Sequence, residues 1–141
     1  MNKSKVLFVC VENSCRSQMA EGFAKKHGGD KIEAFSAGSK PAGIVNPDAI
    51  KVMKEIGIDI SDQTSKGFEL LPYNKFDYIV TMGCKDVYPE QSRGVCPYFP
   101  AKERIDWEIE DPKGKDLESF IKVRDEIGMK VKELLTKMKA N

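Results

Sequence analysis

The amino-acid sequence predicts an α/β fold, a parallel sheet flanked by helices. Two observations carry the prediction. Short apolar runs at Val6 to Cys10, Ile32 to Ala37 and Phe76 to Met82 alternate with segments of helical periodicity, the pattern of strands joined by crossover helices. The first run also opens into a loop, Val11 to Ser17, whose residue types suit an anion held at the carboxyl edge of such a sheet.

Val6 to Cys10 reads as the first strand. The segment Met1 to Val11 has lysines and a short apolar run but no small-residue cleavage site after it, so a strand is expected here and not a signal peptide. From Ser17 to about Lys26, Met19, Ala20, Phe23 and Ala24 share one helical face. His27, at the end of that pattern, receives no role. Ile32 to Ala37 is the second strand. Asn46 then caps a helix with Pro47 at its first position and Gly57 as its stop, enclosing Ile50, Val52, Met53 and Ile56. Ser61 to Leu71 reads as a shorter helical or mixed segment, and Phe76 to Met82 as a strand ending beside Gly83 and Cys84. Pro89, Gly94, Pro97 and Pro100 make Lys85 to Glu103 mostly irregular, with a short strand around Val95 to Phe99. The last helix is expected from Leu117 to Met138, with Phe120, Val123, Ile127, Val131, Leu134 and Met138 in a stripe and a solvated Lys/Glu face opposite.

A chain of 141 residues is long enough to bury a core as one domain. Its 23 basic and 22 acidic residues leave a net charge of +1, which offers no strong field for nucleic acid or an anionic membrane. No apolar run approaches the roughly 20 residues of a membrane-spanning helix. A soluble, cytoplasmic, monomeric protein is expected. Four cysteines and one histidine suggest neither a metal centre nor disulfide staples, because Cys84 and Cys96 lie far apart in sequence and a chain of this size needs no staples. Redox chemistry is the better use for these thiols.

The residues Cys10, Val11, Glu12, Asn13, Ser14, Cys15, Arg16 and Ser17 form the candidate site. A loop wrapped round an oxyanion aims successive backbone N–H groups inward, and the helix that follows adds the positive end of its dipole. Arg16 can close the ring, since a planar guanidinium grips two oxygens of a tetrahedral anion at once. A thiol in such a field ionises more easily, from a free value of about 8.5 toward roughly 3.5–7.5, so Cys10 is the expected nucleophile. Cys10 and Cys84 each follow a strand of a parallel sheet and are expected at the same edge. Cys15 is expected to pack behind the loop.

At this point the sequence resembles the low-molecular-weight tyrosine phosphatase superfamily, and within it the arsenate reductases that use a cysteine relay recycled by thioredoxin. The residues carrying the likeness are CVENSCRSQMAEG from Cys10 to Gly22, FSAG from Phe35 to Gly38, Asn46-Pro47, GIDISDQTS from Gly57 to Ser65, YIVTM from Tyr78 to Met82, Cys96-Pro97, DWEIEDP from Asp106 to Pro112 and VRDEIG from Val123 to Gly128. The resemblance implies a single domain over residues 1–141, a three-layer sandwich of a four-stranded parallel sheet with helices on both faces. It implies arsenate as substrate, with phosphate and sulfate as analogues, no tightly bound cofactor, and thioredoxin or a similar dithiol as external reductant. Asp111, held by Pro112, becomes the general acid in a loop over the anion. Cys84 becomes the second thiol, attacking the Cys10 adduct, and Cys96 the third, moving the disulfide outward. Because Cys84 cannot meet disulfide geometry with both partners in one rigid arrangement, Lys85 to Val95 is expected to rearrange between redox forms.

Three positions depart from the resemblance. Eleven residues separate Cys84 from Cys96, a longer insert than usual. Glu12 stands where relatives commonly carry glycine, and its carboxylate is expected to point away from the anion or weaken its binding. Relatives often hold potassium beside the loop; Asn13, Glu21 and Ser36 match that set, but Lys66 takes the place of its last acidic ligand. A lysine ammonium replacing the ion predicts little potassium dependence. Two alternatives remain: a phosphatase acting on phosphate monoesters through a phosphocysteine, and a redox-sensing or anion-binding module without turnover. Lys113, Gly114 and Lys115, where phosphotyrosine-specific relatives carry aromatic residues, favour a small inorganic substrate.

Overall fold

A computed structural model describes residues 3–82 and 100–140. Its sheet contains β1 (Ser4–Cys10), β2 (Ile32–Gly38), β3 (Phe76–Met82) and β4 (Ala101–Trp107), all parallel, in the order β2-β1-β3-β4. Among the described residues the α-helices are α1 (Arg16–Gly28), α2 (Pro47–Lys54) and α3 (Leu117–Ala140), with short 3-10 helices at Gly29–Lys31 and Phe68–Leu70. The chain leaves β1 for β2 on one side and for β3 on the other, so the strand order reverses at β1. In open parallel sheets a ligand crevice forms at that reversal, beyond the carboxyl ends. Cys10 is the last residue of β1.

Alternation along β1 divides the core. Val6, Phe8 and Cys10 face one cluster with Met19, Phe23, Val52, Met53, Phe120 and Ile127, contributed by all three helices. Leu7 and Val9 face the other with Ile79 and Ala37, covered by Phe35, Phe68 and Leu71. Both faces of β1 are therefore buried, which is why Val6 to Cys10 is an unbroken apolar run instead of an alternating one. The α-helices and the Phe68–Leu70 segment on opposite faces give the expected three layers.

The α2 start forms as its residues dictate: Asn46 Oδ1 accepts from the Asp48 amide at 2.8 Å, and Pro47 opens the helix. The regular helix ends at Lys54, before the Gly57 stop, whose φ of +83° suits glycine. Ile56, expected inside, is 42% exposed as a result. Ser61 to Leu71 is irregular apart from Phe68–Leu70. Ala101 to Glu103, expected to be irregular, begins β4. Among the described residues β4 pairs only with β3, and its Lys102, Glu103, Arg104 and Asp106 disguise the alternation that buries Trp107 against Phe8. The strand expected around Val95 to Phe99 lies outside the described residues, as do Cys84, Cys96 and the segment expected to rearrange, Lys85 to Val95. Among the described residues no helix is long and apolar enough to cross a membrane.

Candidate active site

The loop between β1 and α1 is built by turning its carbonyls outward. Val11 O accepts from the Lys40 amide at 2.8 Å, Glu12 O from the Ala42 amide at 2.9 Å, and Ser14 O from the Asn46 amide at 3.0 Å. Asn13 O accepts from Gln18 Nε2 at 3.0 Å, and Cys15 O from the Met19 amide at 3.0 Å. In a trans peptide the N–H of the next residue points opposite to each carbonyl. The amides of Glu12 through Arg16 are thereby turned to the inner side of the loop. The α1 start adds to this field, since Cys15 at its N-cap makes no side-chain cap and leaves the first amides for a ligand.

Asn13 holds the turn with φ at +50°, a left-handed conformation that asparagine tolerates better than most residues. Its buried side-chain amide is bonded through both its oxygen and its nitrogen. Oδ1 accepts from the Lys66 backbone amide and from Gln18 Nε2, both at 2.9 Å, while Nδ2 donates to Ser17 Oγ at 2.8 Å. Gln18 is held in turn by Gln63 Nε2, which donates to Gln18 Oε1 at 2.8 Å. The Ser17 hydroxyl lies 2.9 Å from Cys10 Sγ. With Asn13 occupying an acceptor position on Ser17, its own proton is free to point at the sulfur, the arrangement a thiolate requires.

Gly38 at the end of β2 permits this loop to seat. A Cβ there would stand 2.5 Å from Val11 O, 2.8 Å from Asn13 N and 2.8 Å from Cys10 O.

Arg16 is buried and makes one strong contact, Nη1 to Ile109 O at 2.9 Å, while Nη2 stands 3.6 Å from Asp111 Oδ2. Its buried Nε has no partner among the described residues, a donor left for a ligand. Asp111 is half exposed, and its Oδ1 accepts from the Lys113 amide at 3.1 Å. Cys10, Glu12, Ser14, Cys15, Arg16, Asp111 and Lys113 line one small cavity of about 200 Å³, open space at its mouth included. Val11 and Ser17 complete the loop's backbone and its hydrogen bond to the thiol. The Cys15 thiol is buried and pushed up to about 12, first by desolvation and then by the charges of Asp111 and Cys10. It stays a neutral thiol.

Glu12 turns its carboxylate to Lys113, with Oε1 at 2.5 Å from Nζ. That contact, and the hydrogen bond within it, raises the Lys113 ammonium above its ordinary range.

Beside the loop, Ser36 Oγ donates to Glu21 Oε1, Lys25 Nζ stands 2.5 Å from Glu21 Oε2, and Lys66 Nζ stands 3.9 Å from Glu21 Oε1 and donates to Thr64 O at 2.9 Å. Burial lowers the Lys66 ammonium, with Glu21 opposing that shift. A potassium ion needs oxygen donors that are free to face it. Here both Glu21 oxygens meet lysines and the Asn13 oxygen accepts two N–H groups, so these residues do not fit the ion. Among the described residues there is no cluster of three His, Cys, Asp or Glu side chains that could hold a metal.

Sequence reasoning did not single out Ile109, Gln18 or Gln63 for the site. Gln18 is a polar residue inside the buried run that opens α1, which is the signal that points to it, whereas Gln63 stands in the polar segment Ser61 to Lys66 and carries none. Ile109 acts only through its carbonyl, which no side-chain pattern reveals.

A protein-family model described as low molecular weight phosphotyrosine protein phosphatase matches residues 5–141. An arsenate reductase of Brevibacillus brevis is 47% identical over 133 residues, covering 94% of each chain. A solved arsenate reductase in the phosphate binding state superposes with a TM-score of 0.80 at 41% identity, covering 95% of this chain and 98% of the other. The thioredoxin-dependent arsenate reductase of Corynebacterium glutamicum superposes with a TM-score of 0.76 at 32% identity, covering 98% of this chain and 63% of the other.

Proposed function

The chain belongs to the low molecular weight phosphotyrosine protein phosphatase family, and from that premise we propose that it reduces arsenate to arsenite. The observation that supports this reading most is the Cys10 cradle: outward carbonyls, inward amides, a Ser17 hydroxyl on the sulfur and a spare Arg16 donor in one cavity. Such a cradle binds a tetrahedral oxyanion and its transition state. The relatives named arsenate reductase direct the choice of anion.

In the proposed reaction Cys10 thiolate attacks arsenic while Asp111 protonates a departing oxygen, which leaves as water and yields a Cys10–S–As(V) adduct. Cys84 thiolate then attacks Cys10 Sγ. A Cys10–Cys84 disulfide forms, the electron pair of the breaking S–As bond passes to arsenic, and arsenite leaves as As(III). Cys96 attacks Cys84 Sγ, freeing Cys10 and leaving a Cys84–Cys96 disulfide that an external dithiol reduces. Thioredoxin is the proposed dithiol, on the strength of the thioredoxin-dependent neighbour. The cycle uses no tightly bound cofactor and fits a monomer in a reducing compartment such as the cytoplasm.

The test is turnover of arsenate by purified protein with a thioredoxin system. Cys84→Ser and Cys96→Ser are expected to lose arsenate turnover but keep slow hydrolysis of an aryl phosphate, and Cys10→Ser to lose both. Aryl phosphate hydrolysis without arsenite formation would instead favour the family's phosphatase chemistry.

A further inference from the structure

The cavity above Cys10 has a buried floor and an exposed rim. Cys10, Ser14, Cys15 and Arg16 are buried, whereas Glu12, Asp111 and Lys113 reach solvent. Across that rim Lys113 Nζ donates to Glu12 Oε1 at 2.5 Å, joining two segments 101 positions apart in sequence. Beneath the pair Cys10 is 3% exposed. The same Lys113 donates its backbone amide to Asp111 Oδ1, so the pair also ties the Asp111 turn to the anion loop.

We propose that the Glu12–Lys113 ion pair is a bar across the mouth of the site that selects free oxyanions over bulky esters. The inference rests on Cys10 being the nucleophile and deepens the proposed function by naming its substrate class. A free tetrahedral anion needs the bar to open only for its passage and lies wholly beneath it afterwards. The organic group of an aryl or peptidyl ester must project through the mouth, so the pair has to stay broken for as long as the ester is bound. Ester binding therefore forfeits the contact and anion binding does not. Both side chains are partly exposed, which makes the bar weak and sensitive to salt.

The test compares alkylation of Cys10 by a small neutral reagent, iodoacetamide, and a bulky neutral one, N-(1-pyrenyl)maleimide, in full-length protein carrying Cys84→Ser and Cys96→Ser. Lys113→Ala is expected to raise the bulky-to-small rate ratio roughly two- to fivefold, the range a contact of this exposure can hold. Lys113→Arg should keep the original ratio. Salt at about 1 M should raise the ratio in the protein with Lys113 and leave it unchanged in Lys113→Ala. Equal ratios with and without the Lys113 side chain, in folded protein of matched melting temperature, would overturn the proposal. Failure of the arsenate reading would appear separately, as absent arsenite formation in protein that retains all its cysteines.

Discussion

Arg16 Nη1 donates to the carbonyl of Ile109 at 2.9 Å, which fixes the guanidinium plane and leaves Nε without a partner among the described residues. A lysine at this position keeps the charge but cannot hold the Ile109 carbonyl and an anion in one plane. Arg16→Lys is expected to weaken phosphate binding to the reduced protein by roughly 10- to 100-fold, the worth of one charge-assisted hydrogen bond. Calorimetric titration with inorganic phosphate checks this; an unchanged dissociation constant would remove Arg16 from the anion site.

Gly38→Ala places a methyl group against three backbone atoms of the loop, 2.5–2.8 Å away, none of which can rotate aside. The loop must shift. The expected result is a loss of about 1–3 kcal/mol in urea unfolding, as for other overpacked sites, together with weaker phosphate binding. Unchanged stability and binding would show that the loop does not depend on close contact with β2.

Burial holds the Cys15 thiol protonated up to about 12, against an ordinary 9.0. Above about pH 9 the unfolded chain loses a proton that the folded chain retains, so folding stability falls as pH rises toward 12; below that window the contribution is fully present. The slope approaches about 1.4 kcal/mol per pH unit at most. Urea unfolding at about pH 8 and about pH 10.5 should show a smaller alkaline loss in Cys15→Ala than in the parent, since all other titrating groups are common to both. An equal loss in the two proteins would mean Cys15 ionises freely.

The sequence reads well where local chemistry and packing agree. Val6 to Cys10 is apolar because both faces of β1 are covered, and Asn46-Pro47 starts α2 through contacts within its own first turn. β4 is harder to read because an edge strand carries charge on its exposed side, and Lys102, Glu103, Arg104 and Asp106 hide the burial of Trp107. Cys10, Arg16 and Asp111 could be named from the sequence because the roles proposed for them use their side chains, and the structure brings all three to one cavity. The Ile109 carbonyl, the Gln63–Gln18 bond and the Glu12–Lys113 contact join residues distant in sequence, and a single chain carries no pattern for them.

Potassium should be dispensable. Glu21 already meets Lys25 and Lys66, and the Asn13 oxygen is taken by N–H donors. Replacing potassium with sodium at constant ionic strength is expected to leave turnover and melting temperature unchanged. Strong activation by potassium over sodium would refute this.

The relay is tested most directly by a single turnover without external reductant. Fully reduced protein is mixed with arsenate, arsenite is quantified, and the disulfide is mapped by mass spectrometry of the quenched chain. The account predicts one arsenite per chain, a Cys84–Cys96 disulfide and a free Cys10. Arsenite formed in equal yield by Cys10→Ser, or no arsenite formed by the protein with all its cysteines, would contradict it.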